Sequence, residues 1–119
     1  MATRYTVPQE WVEEVAAIRR RDCYLCEDPA AVEVPIDHIE SRPIGPGLKG
    51  FVEWRLYDVI LALKKDIALP PIIAFQRPNS ALLIEGTYRY LASKSCGYLR
   101  IPTRFVSRKA AEAVCKDVG

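Results

Sequence analysis

This chain of 119 residues has little that suits a bilayer or an export route. No stretch approaches the roughly 18 consecutive apolar residues of a membrane span, and the N-terminus carries no basic segment followed by an apolar core. The expectation is a soluble, cytoplasmic protein with no membrane partner. Charge of one sign is also scarce: 17 Lys and Arg against 15 Asp and Glu leave a formal charge of +2. Bulk electrostatics therefore do not announce a nucleic-acid binder, although a local basic patch stays open. Repeats, low-complexity tracts and linkers are missing, which excludes solenoids and favours one folded unit.

Metal-ligating residues are few. There is one histidine, His38, and the four cysteines lie at 23, 26, 96 and 115. An even count could form two disulfides in an exported protein, but without an export signal the thiols are expected to be reduced. Cys23-Tyr24-Leu25-Cys26 has the spacing of a zinc half-site or a redox pair. A structural zinc normally needs a second close pair, so no zinc is expected, and Cys23 and Cys26 stay the only candidates for a metal or redox role.

What is present is ordinary globular material, half hydrophobic and 27% charged, in a chain long enough to fold alone. Thr6 and Gln9 have capping-box spacing, and Trp11, Val15 and Ile18 recur at helical intervals, predicting a first helix that ends near Arg21. Its Arg19-Arg20-Arg21 tail suits the negative end of the helix dipole. Residues 31–39 alternate Val32, Val34 and Ile36 with polar neighbours, predicting a strand that Pro35 pushes to an edge or breaks. A loop rich in Gly and Pro follows from Glu40 to Gly50 and holds the cations Arg42 and Lys49.

Val52, Leu56, Val59, Ile60 and Leu63 predict an amphipathic second helix. Pro70-Pro71 then stops any helix, and the run Ile72-Ile73-Ala74-Phe75 predicts a strand buried on both faces. Pro78-Asn79 turns the chain into a second strand at 81–84, giving a hairpin. A third helix follows Gly86 and ends before Gly97, a strand covers 98–106, and Ser107 can cap a last helix.

The passage Leu83-Ile84-Glu85-Gly86-Thr87-Tyr88-Arg89 reads as a strand, a tight turn and a helix N-terminus. Such a junction aims backbone N–H groups and the positive end of a helix dipole at one point. Gly86 allows a positive φ and close approach, Thr87, Tyr88 and Arg89 offer amides, Thr87 adds a hydroxyl, and Arg89 offers a planar fork for two phosphate oxygens. Arg42 and Lys49 could close from the loop. Glu85, the carboxylate beside the turn, could hold Mg²⁺ or act as a base in a phosphoryl transfer. Among the aromatics Trp54, Tyr57, Tyr88, Tyr90 and Tyr98, a base-stacking ring is conceivable, with Tyr88 best placed.

Pro70-Pro71-Ile72-Ile73, then Leu83 to Ala92 with Gly86, Arg89, Tyr90 and Ala92, then Gly97 and Ile101 to Val106, resembles the ParB/sulfiredoxin superfamily over roughly residues 32–107. The ParB turn reads Gly-Glu-Arg-Arg with a following Ala, and the sulfiredoxin turn reads Gly-Cys-His-Arg-Tyr. The resemblance implies an α+β fold, a small mixed sheet with about four helices, spanning 32–119 behind an extension at 1–31 that carries the first helix and the Cys-x-x-Cys pair. It implies a nucleotide, ATP or CTP with Mg²⁺, held at Gly86–Arg89, in a bacterial-type regulatory or DNA-associated factor. Thr87 and Tyr88 stand where a sulfiredoxin has its thiol and imidazole, so sulfinic-acid reduction is not expected. A helix-turn-helix domain is not expected within the chain either. Two further alternatives stay open: an enzyme on the same turn (phosphotransferase, ATPase or nuclease, with Glu85 catalytic), and a protein-interaction module that has lost the ligand.

Overall fold

A computed structural model describes residues 9–18, 22–41 and 53–114. In chain order the elements are α1 (Gln9–Ile18), β1 (Val32–Pro35), a 3₁₀ turn (Ile36–His38), β2 (Ile39–Glu40), α2 (Glu53–Lys64), β3 (Ile72–Gln76), β4 (Ala81–Glu85), α3 (Thr87–Ser95), β5 (Arg100–Phe105) and α4 (Arg108–Val114). The class is α+β, with four α-helices and five strands among the described residues.

The sheet order is β1-β5-β3-β4-β2. The expected hairpin is present: β3 and β4 pair antiparallel, with an irregularity between Ile73 and Ala74. β3 runs parallel to β5 and β2 parallel to β4, while β1 lies antiparallel to β5, so the sheet is mixed. The single strand expected over 31–39 is instead two short strands on opposite edges of the sheet, because the backbone leaves extended geometry after Pro35 and makes a 3₁₀ turn. In a flat sheet those edges would lie about 19 Å apart, four strand spacings. Four residues from Pro35 to Ile39 reach at most about 14 Å. The sheet must therefore curl to bring its edges together.

Strand alternation explains the apolar runs. Ile72 and Ala74 of β3 and Ala81 and Leu83 of β4 join the main core with Val15 of α1, Leu56, Ile60 and Leu63 of α2, and Tyr90 and Ala92 of α3. The neighbours on the other face, Phe75, Leu82 and Ile84, meet Ala111 of α4. These two strands are thus covered on both sides, which is why neither run shows a polar alternate. Of the periodic set predicted for α2, Leu56, Ile60 and Leu63 turn inward, the first two 1% and 0% exposed, while Val52 lies outside the described residues.

The end of α3 and the start of α4 follow local rules. At the C-terminus of α3 Gly97 takes φ 79°, its N–H meets the Lys94 carbonyl at 3.2 Å and the Tyr98 N–H meets the Ser93 carbonyl at 3.0 Å. This is a Schellman closure, in which a left-handed glycine lets the last carbonyls find donors. α4 starts as its sequence indicates, with the Ala110 N–H donating to Ser107 Oγ at 3.2 Å.

Candidate functional site

The β4–α3 junction sits beside the entry to β3, since Ile73 pairs with Glu85. Gly86 is the N-cap of α3 at φ 109° and ψ 28°, and no side chain caps the helix. The helical ladder begins with the Tyr90 N–H on the Gly86 carbonyl at 2.9 Å. The helix therefore supplies no acceptor of its own for the amides of Thr87, Tyr88 and Arg89. A Cβ at Gly86 would stand 2.8 Å from Ile72 Cγ2 and 3.1 Å from Arg89 Nη2. Glycine is thus required twice, for its φ and for the closeness of β3.

The second of those distances also places Arg89. Its guanidinium folds back over the start of its own helix, where Nη2 donates to the Pro71 carbonyl at 3.2 Å. Its Nε is buried with no protein partner. A guanidinium has five N–H donors, so anchoring one nitrogen leaves others for an anion at the turn. The positive charge, the helix dipole and the first-turn amides coincide at one point.

Tyr24 completes this arrangement. Its hydroxyl donates to the Pro70 carbonyl at 2.6 Å. Burial pushes the phenol well above the ordinary tyrosine range, while the neighbouring Arg89 charge acts in the opposite direction. Two successive carbonyls, at Pro70 and Pro71, are thus held by two side chains from distant parts of the chain. Sequence reasoning missed Tyr24, because it precedes Pro70 by 46 residues and no local pattern joins them. Pro70-Pro71 was the available signal: proline carbonyls bring no N–H of their own residue and leave acceptors for side chains to find.

Of the other predicted residues, Thr87 and Tyr88 are half-buried, and Tyr88 packs partly against the main core. Glu85 is exposed at the end of β4. Arg42 and Lys49 lie outside the described residues, as do Arg19, Arg20, Arg21, Cys115 and the side chain of Trp54. β2 runs parallel to β4, with Ile39 opposite Ala81 and Glu40 opposite Leu82, so at Ser41 the chain heads toward the Gly86 end of the sheet. Tyr90 and Tyr98 are 5% and 6% exposed and belong to the core rather than to a stacking face. Tyr57 is half-buried.

His38 lies at the opposite end of β4 from Gly86. It lines a cavity of about 480 Å³ with Gln76, Asn79 and Ser80, beside the hairpin turn. Cys23 and Cys96 are buried and Cys26 half-buried. Among the described residues no three of His, Cys, Asp or Glu gather as a metal-ligand set.

No family model and no curated protein sequence matches this chain. Solved structures do. The C-terminally truncated chromosome-partitioning protein ParB from Caulobacter crescentus, complexed with CTP-γ-S, superposes with a TM-score of 0.55 at 21% identity, over 71% of this chain and 49% of that one. The same truncated ParB complexed to the centromeric parS site gives 0.51 at 22% identity, over 70% and 43%. The chain thus spans less than half the length of these neighbours, and what it shares with them is a ParB-like fold.

Proposed function

We propose that this domain binds a nucleotide by its phosphates at the turn from Gly86 to Arg89, and serves as a regulatory or DNA-associated factor. The observation that carries the reading is the pairing of a left-handed Gly86, packed too closely on Ile72 for any Cβ, with Arg89 folded back over the same helix N-terminus. The orphaned Arg89 Nε, beside a helix start that no side chain caps, is a donor in want of an acceptor, and a phosphate supplies several oxygens at once. Support comes from the fold: the neighbouring structures hold CTP-γ-S in one case and parS DNA in the other.

CTP is therefore the first ligand to try, followed by ATP and ADP. The division of labour within the chain would be as follows. Gly86 gives the phosphate room, the amides of Thr87, Tyr88 and Arg89 orient its oxygens, and the Arg89 guanidinium neutralises its charge while Pro71 and Tyr24 hold that side chain in place. Isothermal titration calorimetry tests this directly. Saturable heat with at least one nucleotide, and a loss of about tenfold or more in affinity in Arg89→Ala, is the expected result, because one charge-assisted hydrogen bond contributes about 1.5–3 kcal/mol. No heat from CTP, ATP or ADP refutes the proposal. Glu85→Gln should leave binding intact, since Glu85 carries no donor for phosphate.

A further inference from the structure

The extension before β1 touches the turn through more than Tyr24. The Leu69 N–H donates to the Leu25 carbonyl at 2.8 Å, and the Tyr24 hydroxyl to the Pro70 carbonyl at 2.6 Å. Together with Arg89 Nη2 on Pro71, three consecutive residues ahead of β3 are held by side chain or backbone groups from outside it. Tyr24 and Leu25 are the two residues enclosed by Cys23 and Cys26. Both cysteines line one cavity of about 100 Å³, together with Asp28, Glu33 and Pro102. Cys26 is half-buried there, so a small oxidant can reach the cavity by way of one of the two sulfurs.

We infer that Cys23 and Cys26 form a reversible disulfide that undocks Tyr24 and Leu25 from residues 69 and 70 and thereby weakens anion binding at the Gly86–Arg89 turn. The anion-binding part rests on the function proposed above. A disulfide holds its two Cα atoms within about 7 Å and its Cβ atoms within about 4.5 Å, so the inferred ring constrains the backbone of the two residues it encloses. Tyr24 and Leu25 make their bonds to Pro70 and Leu69 from an irregular, non-helical segment. In the inferred oxidised state that constraint turns them away from residues 69 and 70, and those bonds are lost. Arg89 then keeps only the Pro71 carbonyl, on a segment that has lost its other two ties, and a less ordered cation binds less tightly.

The oxidant is a hydroperoxide. The Cys26 thiolate attacks the terminal oxygen, the O–O bond breaks, and an alcohol, or water from hydrogen peroxide, leaves with the thiol proton. Cys23 sulfur then attacks the resulting sulfenic acid; the S–S bond forms, the S–O bond breaks, and hydroxide takes the Cys23 proton as water. Two thiols and one hydroperoxide thus give one disulfide, one alcohol and one water.

The full chain treated with hydrogen peroxide should lose about 2 Da, the mass of two hydrogens, with the link mapping to Cys23 and Cys26 and reversing in dithiothreitol. Amide exchange at Leu69, followed by NMR, should then be about tenfold faster than in the reduced protein, and Cys23→Ser should abolish both changes. Failure to form that link, or a formed link with an unchanged Leu69 rate, overturns the inference. In the same samples, CTP affinity should fall about tenfold on oxidation. Unchanged affinity in the presence of the disulfide removes the coupling to the turn. Absence of CTP binding even in the reduced protein refutes the proposed function instead, and the Leu69 rate alone then decides the disulfide switch.

Discussion

Replacing Gly86 by alanine is the sharpest perturbation of this structure, because the site and the fold meet in that residue. At φ 109° an L-residue is strained, and the added Cβ would lie 2.8 Å from Cγ2 of Ile72, a side chain that is 0% exposed and belongs to the main core. Left-handed backbone costs a residue with a Cβ about 1–2 kcal/mol. Forcing a methyl into a packed core costs about 1–3 kcal/mol. The contact with Arg89 Nη2 at 3.1 Å adds little, since that end of the side chain can move. A total of about 2–5 kcal/mol follows, and with a urea m-value of about 1.5 kcal/mol per M the midpoint should drop by about 1.3–3.3 M. Gly86→Asn separates the two causes: it has the same Cβ but tolerates left-handed φ better, so it should lose less than alanine while keeping the steric part. The assay is urea unfolding of wild type and both variants, followed by circular dichroism. A loss below about 0.5 kcal/mol in Gly86→Ala with an unchanged m-value would show that the turn is neither left-handed nor tightly packed, and the proposed phosphate cradle would go with it.

Tyr24→Phe should cost about 1 kcal/mol through the lost bond to the Pro70 carbonyl. Because the folded phenol holds its proton above the ordinary value near 10, wild-type stability should fall as pH rises past about 10, by at most about 1.4 kcal/mol per pH unit from this group. The sign follows from the unfolded chain releasing the proton first; identical pH profiles for wild type and Tyr24→Phe in urea unfolding would refute the assignment. Ile60→Ala, at a site with 0% exposure, should lose about 2–5 kcal/mol in calorimetry, and a loss below about 1 kcal/mol would place α2 outside the core. Ser107→Ala removes the cap at the Ala110 N–H and should cost about 1 kcal/mol, seen first as faster amide exchange in α4; uniform exchange across the chain would contradict a local cap.

Much of this fold was legible because its signals are local. Leu56, Ile60 and Leu63 share one helical face, Pro78-Asn79 turns a hairpin, and Ser107 caps a helix, each within a span of a few residues. The ParB/sulfiredoxin resemblance, read over roughly residues 32–107, is matched by the ParB-like fold. The stretch from Ala31 to Ile39 misled because alternation marks extended chain but carries no pairing information. Val32 to Pro35 and Ile39 all read as one strand, and only the neighbours they hydrogen-bond assign them to opposite edges.

The same division applies to the candidate site. Local pattern alone marks Gly86, Arg89 and the helix start between them, since a glycine after an apolar run and before a helical pattern constrains the backbone within three residues. The tertiary structure decided how close β3 comes to Gly86, where the Arg89 guanidinium rests and that Tyr24 stands beside it. Those are distances between residues 14 to 65 positions apart in the chain, and no periodicity records them. They arise from the packing of helices on a curled sheet, which brings the Pro70–Pro71 carbonyls within reach of side chains that the sequence keeps far away.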